Sequence, residues 1–161
     1  ADFPAQRPFI YNNGVMGGES LQFDKLTREM VTSLLKGMPD APAQAAMLAK
    51  QAIVRTLGES QGASDQGEIV RQICFGMMGG LLLLDESLPK GAVSLLRSMA
   101  EAAQEVHVDP TRMLTWAVEG IARIARTAPP AVVGIMEEDI ESCFEGAGKM
   151  FAEFRAKHEK T

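Results

Sequence analysis

A run of twelve consecutive uncharged residues, from Ile73 to Leu84, limits most strongly how this chain can fold. The run is too short to cross a bilayer, because a transmembrane helix needs about 20 apolar residues. A helix that is apolar around its whole circumference has to be covered by other elements on every side. The run therefore predicts a central buried helix, with the rest of the chain packed around it.

Helical periodicity extends from Ser20 over most of the remaining sequence, and residues with helix-ending or helix-capping preferences divide it into six segments. No segment shows the alternation of apolar and polar residues that marks a half-buried strand. The chain has 161 residues, a length typical of one domain. We therefore predict an all-α fold. It consists of an extended N-terminal arm (1–19), a single-domain bundle of about six helices (20–155) and a charged C-terminal tail (156–161).

The first two predicted helices differ in the size of their apolar residues. The first helix has a stripe of large side chains at spacings of three and four, which indicates a face directed toward the core: Phe23, Leu26, Met30, Leu34 and Met38. The second follows Asp40, a favourable N-cap, and has a face of small residues that lets another helix approach closely: Ala43, Ala46, Ala49 and Ile53.

The third helix contains the apolar run. Asp65 and Glu68 have the spacing of a capping box at its start. Gly79 and Gly80 lie inside the run, where each glycine costs about 1 kcal/mol relative to alanine. We expect either a break or a tight helix crossing at this pair.

The last three helices begin at typical N-terminal signals. Ser87 with Pro89 opens the fourth, Asp109 with Pro110 opens the fifth, and a Pro-Pro pair at 129–130 precedes the sixth. The sixth is predicted to be a single long helix, because its apolar stripe continues without interruption: Val133, Met136, Ile140, Phe144, Ala147, Phe151 and Phe154.

The N-terminal arm combines helix-breaking residues with apolar ones. Prolines at 4 and 8 and the glycines that follow exclude a regular helix. Phe9, Ile10 and Tyr11 are more apolar than is typical of a solvated tail. We expect the arm to lie across a surface, either of its own bundle or of a neighbouring subunit, with Phe9 and Tyr11 as interaction residues.

Trp116 points well away from the apolar stripe of the fifth helix, given about 100° of rotation per residue. Arg112, one turn earlier, can stack on the indole, and Gly120, one turn later, leaves room for the ring. Met113 borders the same side, and Trp, Met and Arg are enriched at protein interfaces. Two interpretations stay open: an intermolecular contact, or coverage of this side by another helix of the bundle.

Glu137, Glu141 and Glu145 stand four residues apart on the sixth predicted helix. Like charges at this spacing repel by a few tenths of a kcal/mol per pair. A solubilising surface is the ordinary explanation of such a row. The functional alternatives are docking of a basic partner or a weak divalent-cation site.

Composition excludes several classes of function. A net charge of −5 argues against general binding to nucleic acid or to anionic membranes.

Cys74 and Cys143 lie in apolar stretches without C-x-x-C spacing, which indicates two buried, reduced thiols in a cytoplasmic protein. The first residues show no charged region followed by an apolar one, so no signal peptide is predicted in this sequence.

One sequence motif suggests catalysis. Residues 58–62, with Ser60 at the centre, match the G-x-S-x-G nucleophile elbow of α/β-hydrolases, and the resemblance covers these five residues only. The elbow requires a strand before it, whereas an alanine-rich helical segment precedes Ser60.

With only two histidines, His107 and His158, the chain cannot supply the Glu-x-x-His pairs of a di-iron bundle. We predict no catalytic residue, no metal site and no cofactor.

These observations favour a non-catalytic helical interaction subunit or adaptor that self-associates or docks in a larger assembly. Its partner is a protein or a second copy of itself, with no nucleic acid and no membrane span. The alternative is a small-molecule-binding regulatory protein with a pocket between helices lined by Met77, Met78 and Met99. A serine hydrolase that uses Ser60 is a more remote alternative.

Overall fold

The computed structural model describes residues 28–59 and 65–159, all of which belong to helices or to the short connections between them. This part of the chain contains no strand, seven α-helices and one 3-10 helix. The α-helices are α1 (28–35), α2 (Ala41–Glu59), α3 (Gln66–Leu83), α4 (Leu88–Val106), α5 (Pro110–Ala122), α6 (Pro130–Cys143) and α7 (Ala147–Glu159); the 3-10 helix, Arg123–Arg126, follows α5. The all-α prediction is confirmed for these residues. The predicted arm, 1–19, lies outside them.

The apolar run forms the C-terminal half of α3, and no residue from Gln66 to Leu82 is exposed. α3 contacts α2, α4, α5 and the 3-10 helix, while α4 contacts α2, α3, α5 and α6. α5 likewise contacts four elements, namely α3, α4, α7 and the 3-10 helix, so three helices share the centre of the bundle, where the sequence predicted only α3. The apolar run is not buried over its whole length, because Leu83, near its C-terminal end, is 65% exposed.

α3 passes through Gly79 and Gly80 without a break. A β-carbon placed on Gly80 would lie 2.5 Å from a methyl carbon of Val31, and one on Gly79 would lie 2.9 Å from the Arg28 side chain. The glycine pair therefore admits α1 against α3. Of the two expectations for this pair, the tight helix crossing is the one observed.

Of two helix-start signals in the sequence, the structure forms the cap at Ser87 and not the capping box at Asp65. Ser87 caps α4, its side chain accepting a hydrogen bond from the Lys90 backbone N–H at 3.3 Å. The capping box at Asp65 is not formed, since the Asp65 side chain makes no cap hydrogen bond. Glu68 instead accepts hydrogen bonds at 2.9 Å from both Arg71 and Gln72. Arg71 and Gln72, both on α3 itself, therefore bind the carboxylate that the box would have used.

The sixth predicted helix is in fact two helices, α6 and α7. Phe144 has extended backbone angles, with φ −138° and ψ 97°, and Gly146 has φ +90°. Glycine adopts positive φ without the steric cost that a side chain would add, so the chain can turn here. α7 then packs against α5, α6 and the 3-10 helix. It also continues through residues 156–159, which composition had assigned to the C-terminal tail.

None of the helices in the described ranges combines the length and the hydropathy needed to cross a membrane.

Candidate interaction surface

The clearest surface feature is an apolar groove of about 320 Å³ between α1, α2 and α3. Most of its lining is aliphatic or methionine side chain, with a few polar groups at the edge: Met30, Val31, Leu34, Leu48, Gln51, Ala52, Arg55, Thr56, Ile73 and Met77. Met30 is 58% exposed and Leu34 is 51% exposed. We call these ten residues the α1–α2 groove.

The groove exists because α1 has two apolar faces. Val31 and Leu35 are 0% and 1% exposed and form the inward face. Met30 and Leu34, one turn apart on the other face, are left in solvent. The stripe predicted to face the core is therefore wrong in orientation over the described residues, since its members Met30, Leu34 and Met38 are all exposed. Gly80 explains the choice, because it makes room for Val31.

α2 supplies the opposite wall. Of its predicted small face, Ala46, Ala49 and Ile53 are at most 3% exposed and Ala43 is half-buried, and α2 packs along α4. Lys50 reinforces this pairing through ion pairs with Glu101 at 3.1 Å and Glu105 at 2.9 Å. The side of α2 turned away from α4 is left to line the groove.

A second depression adjoins the groove and shares Gln51 and Arg55 with it. Its other lining residues include Met47, which is 51% exposed. The second depression is lined mostly by polar residues, because Lys50, Gln51, Arg55 and Glu105 line it beside Met47 and Val54, so the apolar groove ends at Gln51 and Arg55. Sequence periodicity did not identify the groove. The available signal was the presence of two adjacent apolar stripes on α1, only one of which could face the core.

The fifth-helix residues that the sequence singled out lie partly in the core. The guanidinium carbon of Arg112 is 5.2 Å from the centroid of the Trp116 ring, in cation–π range. Trp116 is half-buried, and its indole packs on Gly67 of α3, where a β-carbon would lie 2.7 Å from Nε1. Met113 is 0% exposed, so it belongs to the core and does not border a surface patch. A helix of the same bundle thus covers much of this side.

Gly120 has a different role from the one expected. A β-carbon on it would lie 2.4 Å from the Arg71 carbonyl oxygen. Gly120 therefore admits the α3 backbone, and the room for the indole is provided by Gly67.

The acidic row is divided by the break between α6 and α7. Glu137 forms an ion pair with Arg155 of α7 at 3.6 Å. Glu141 accepts hydrogen bonds from the backbone N–H groups of Gly146, at 3.0 Å, and Gly148, also at 3.0 Å. Glu145 is exposed in the connection between the helices. Glu137 and Glu141 thus hold α7 in place. Among the described residues, no three His, Cys, Asp or Glu side chains are grouped closely enough to bind a metal ion.

The Glu141 contacts predict a pH-dependent contribution to stability. The hydrogen bond from the Gly146 backbone is the main cause that lowers the pKa of Glu141 from 4.5; desolvation, second in size, opposes it, and weaker hydrogen bonds from Gly148 and Lys149 add to the lowering. The contribution is fully present above the unfolded-state pKa and is lost as pH falls through the lower folded-state pKa. We expect Glu141→Gln to be less stable than the wild type at neutral pH, and the difference to disappear in acid.

Denaturant unfolding monitored by circular dichroism at successively lower pH measures this difference. Glu145→Gln is the matched control, since Glu145 is exposed in the same connection, and it should unfold with the wild type at neutral pH. A Glu141→Gln deficit that stays constant into acid would contradict the prediction.

The remaining candidate residues have these positions. Three of them lie outside the described residues: Phe9, Tyr11 and Ser60. Ser60 follows helix α2, whereas the serine of a nucleophile elbow follows a strand. Cys74 is buried as predicted, but Cys143 is exposed, with its Sγ 3.8 Å from an Arg97 nitrogen. Of the methionines predicted to line a pocket, Met77 lines the groove, whereas Met78 and Met99 are 0% exposed in the core.

No family model matches this chain, and no match was found among curated proteins or among solved structures.

Proposed function

We propose that this chain is a non-catalytic helical interaction subunit that self-associates through the α1–α2 groove. The observation that carries the proposal is the exposure of Met30 and Leu34, 58% and 51%, one turn apart in the lining of this groove. Apolar side chains grouped in this way are typical of interaction sites. Methionine adapts its shape to a partner, and both methionine and arginine are enriched at interfaces.

A second copy is the occupant we assign to the groove. The sequence contains its own apolar segment, the arm of residues 1–19, and this segment precedes α1, the helix that forms one wall of the groove. The cytoplasm is the compartment we propose, since Cys74 and Cys143 are both free and persist as thiols in a reducing environment.

Light scattering coupled to size exclusion, over a concentration series, tests self-association. The wild type should exceed the monomer mass of 17.4 kDa. Leu34→Glu should raise the dissociation constant at least about tenfold, because it places an unpaired carboxylate in an apolar interface. Ile135→Glu is the matched control: Ile135 is 49% exposed on α6 and does not line the groove. Equal masses for the wild type and Leu34→Glu at every concentration would refute the proposal.

A second candidate, binding of an apolar small molecule, is favoured by the groove volume of about 320 Å³. Ligand sites commonly range from about 300 to 1,000 Å³. Arg55 at the edge would pair with an acidic group, so decanoate is a suitable probe. Decanoate should raise the melting temperature of the wild type and of Ile135→Glu but not of Leu34→Glu. An unchanged melting temperature in the wild type would exclude this candidate for that class of ligand.

A further inference from the structure

We infer that the α1–α2 groove of one copy binds the apolar arm of a second copy, with Phe9 and Tyr11 as the inserted side chains, so that two copies exchange arms. This inference rests on the proposed function and adds the segment that occupies the groove. It assigns a role to the arm, whose phenylalanine, isoleucine and tyrosine need an apolar surface to cover them.

The length of chain before Arg28 permits the exchange. Residues 12–27, sixteen in number, connect Tyr11 to Arg28. Residues 12–19, in the predicted arm, span about 26 Å when extended. Residues 20–27, in the first predicted helix, add about 12 Å at the helical rise, which gives a reach of about 40 Å. A domain of this size has a radius of gyration of about 15 Å, which corresponds to a diameter of roughly 40 Å. The arm can therefore reach a groove on a neighbouring copy.

The choice of a second copy follows from self-association. An arm bound in the groove of its own chain would fill the surface through which two copies are proposed to meet. Reciprocal exchange buries both grooves and both arms and joins the copies at the same time. It also closes the assembly at two copies, because each copy binds the arm of the copy that binds its own arm, and no arm or groove is left over.

Complementation between two full-length variants tests the exchange. The arm variant, Phe9→Ser with Tyr11→Ser, keeps its groove, and the groove variant, Leu34→Glu, keeps its arm. Neither variant alone can form an arm–groove pair, so each should be monomeric. An equimolar mixture can form one pair, in which the arm of the groove variant enters the groove of the arm variant. The mixture should therefore associate, more weakly than the wild type with its two pairs.

Energy transfer between dyes on Cys143 measures the pairing, since Cys143 is exposed and Cys74 is fully buried. Transfer that appears only in the mixture of the two variants supports the exchange. An arm variant that still self-associates, beside a monomeric groove variant, would overturn the exchange and leave the proposed function intact. Monomeric variants whose mixture shows no transfer would also overturn it. A monomeric wild type, or a Leu34→Glu variant that still associates, would remove the proposed function itself and the exchange with it.

Discussion

Phe151→Ala is expected to lower the free energy of unfolding by about 3–5 kcal/mol, the usual cost of truncating a buried phenylalanine and leaving a cavity. Phe151 is 0% exposed and is among the largest fully buried side chains in the described residues. It lies on α7, which returns after the break at Phe144 to pack on α5, α6 and the 3-10 helix. Urea unfolding followed by far-ultraviolet circular dichroism gives the difference directly.

Phe154→Ala is the matched control, because Phe154 is on the same helix and packs only partly buried against the core. The same truncation there should cost about 1 kcal/mol, in proportion to the smaller apolar area that it buries. Comparable losses at the two positions would show that α7 is not anchored through Phe151. They would instead favour the single long helix that the apolar stripe predicts.

The break itself shows where sequence periodicity stops being informative. The stripe through Phe144, Ala147 and Phe151 keeps helical spacing across the connection, so the pattern alone predicts one continuous helix. Gly146 was the local signal of a turn, and it has the positive φ that interrupts the helix. By contrast, Ser87 and Pro130 marked the starts of α4 and α6 correctly, because capping and proline effects depend only on nearby backbone.

The orientation of α1 could not be derived from its own residues. Met30 with Leu34 and Val31 with Leu35 are both apolar pairs at a spacing of four, so either face could have turned inward. The side chain of Val31 fits at Gly80, far away in the sequence. The orientation of α1 therefore depends on the shape of a distant helix, which the periodicity of α1 does not show. This orientation determines which apolar face of α1 lines the groove.

Two members of the predicted acidic row make contacts that the sequence pattern does not show. Glu137 and Glu141 lie on α6, four residues apart, and only Glu145 falls beyond its end. After the turn, backbone N–H groups at the start of α7 come within reach of Glu141, and Arg155 comes within reach of Glu137. A local repulsion is thus offset by contacts that arise only once the chain reverses. The interaction roles of the acidic row, of Arg112 and Trp116, and of Phe9 and Tyr11 in the arm stay predictions.

The second large effect is expected where α5 crosses α3. Gly120→Ala should destabilise the fold by about 2–3 kcal/mol, as overpacking of a well-filled core usually does. The added β-carbon would lie 2.4 Å from the Arg71 carbonyl oxygen and 2.9 Å from the Arg71 α-carbon. Both atoms are backbone, so no flexible side chain can move aside. The two helices would have to separate, and the packing of Trp116 on Gly67 would be disturbed with them.

Gly134→Ala provides a control of opposite sign. Gly134 lies within α6, and a β-carbon placed there would have no neighbouring atom within 4 Å. Alanine should therefore stabilise the fold by about 0.5–1 kcal/mol, because it forms helix more readily than glycine. Thermal unfolding of both variants beside the wild type separates helix propensity from close packing. If Gly120→Ala also raised the melting temperature, helix propensity alone would explain the effects of both substitutions. The close approach of α5 to the α3 backbone at Gly120 would then be contradicted.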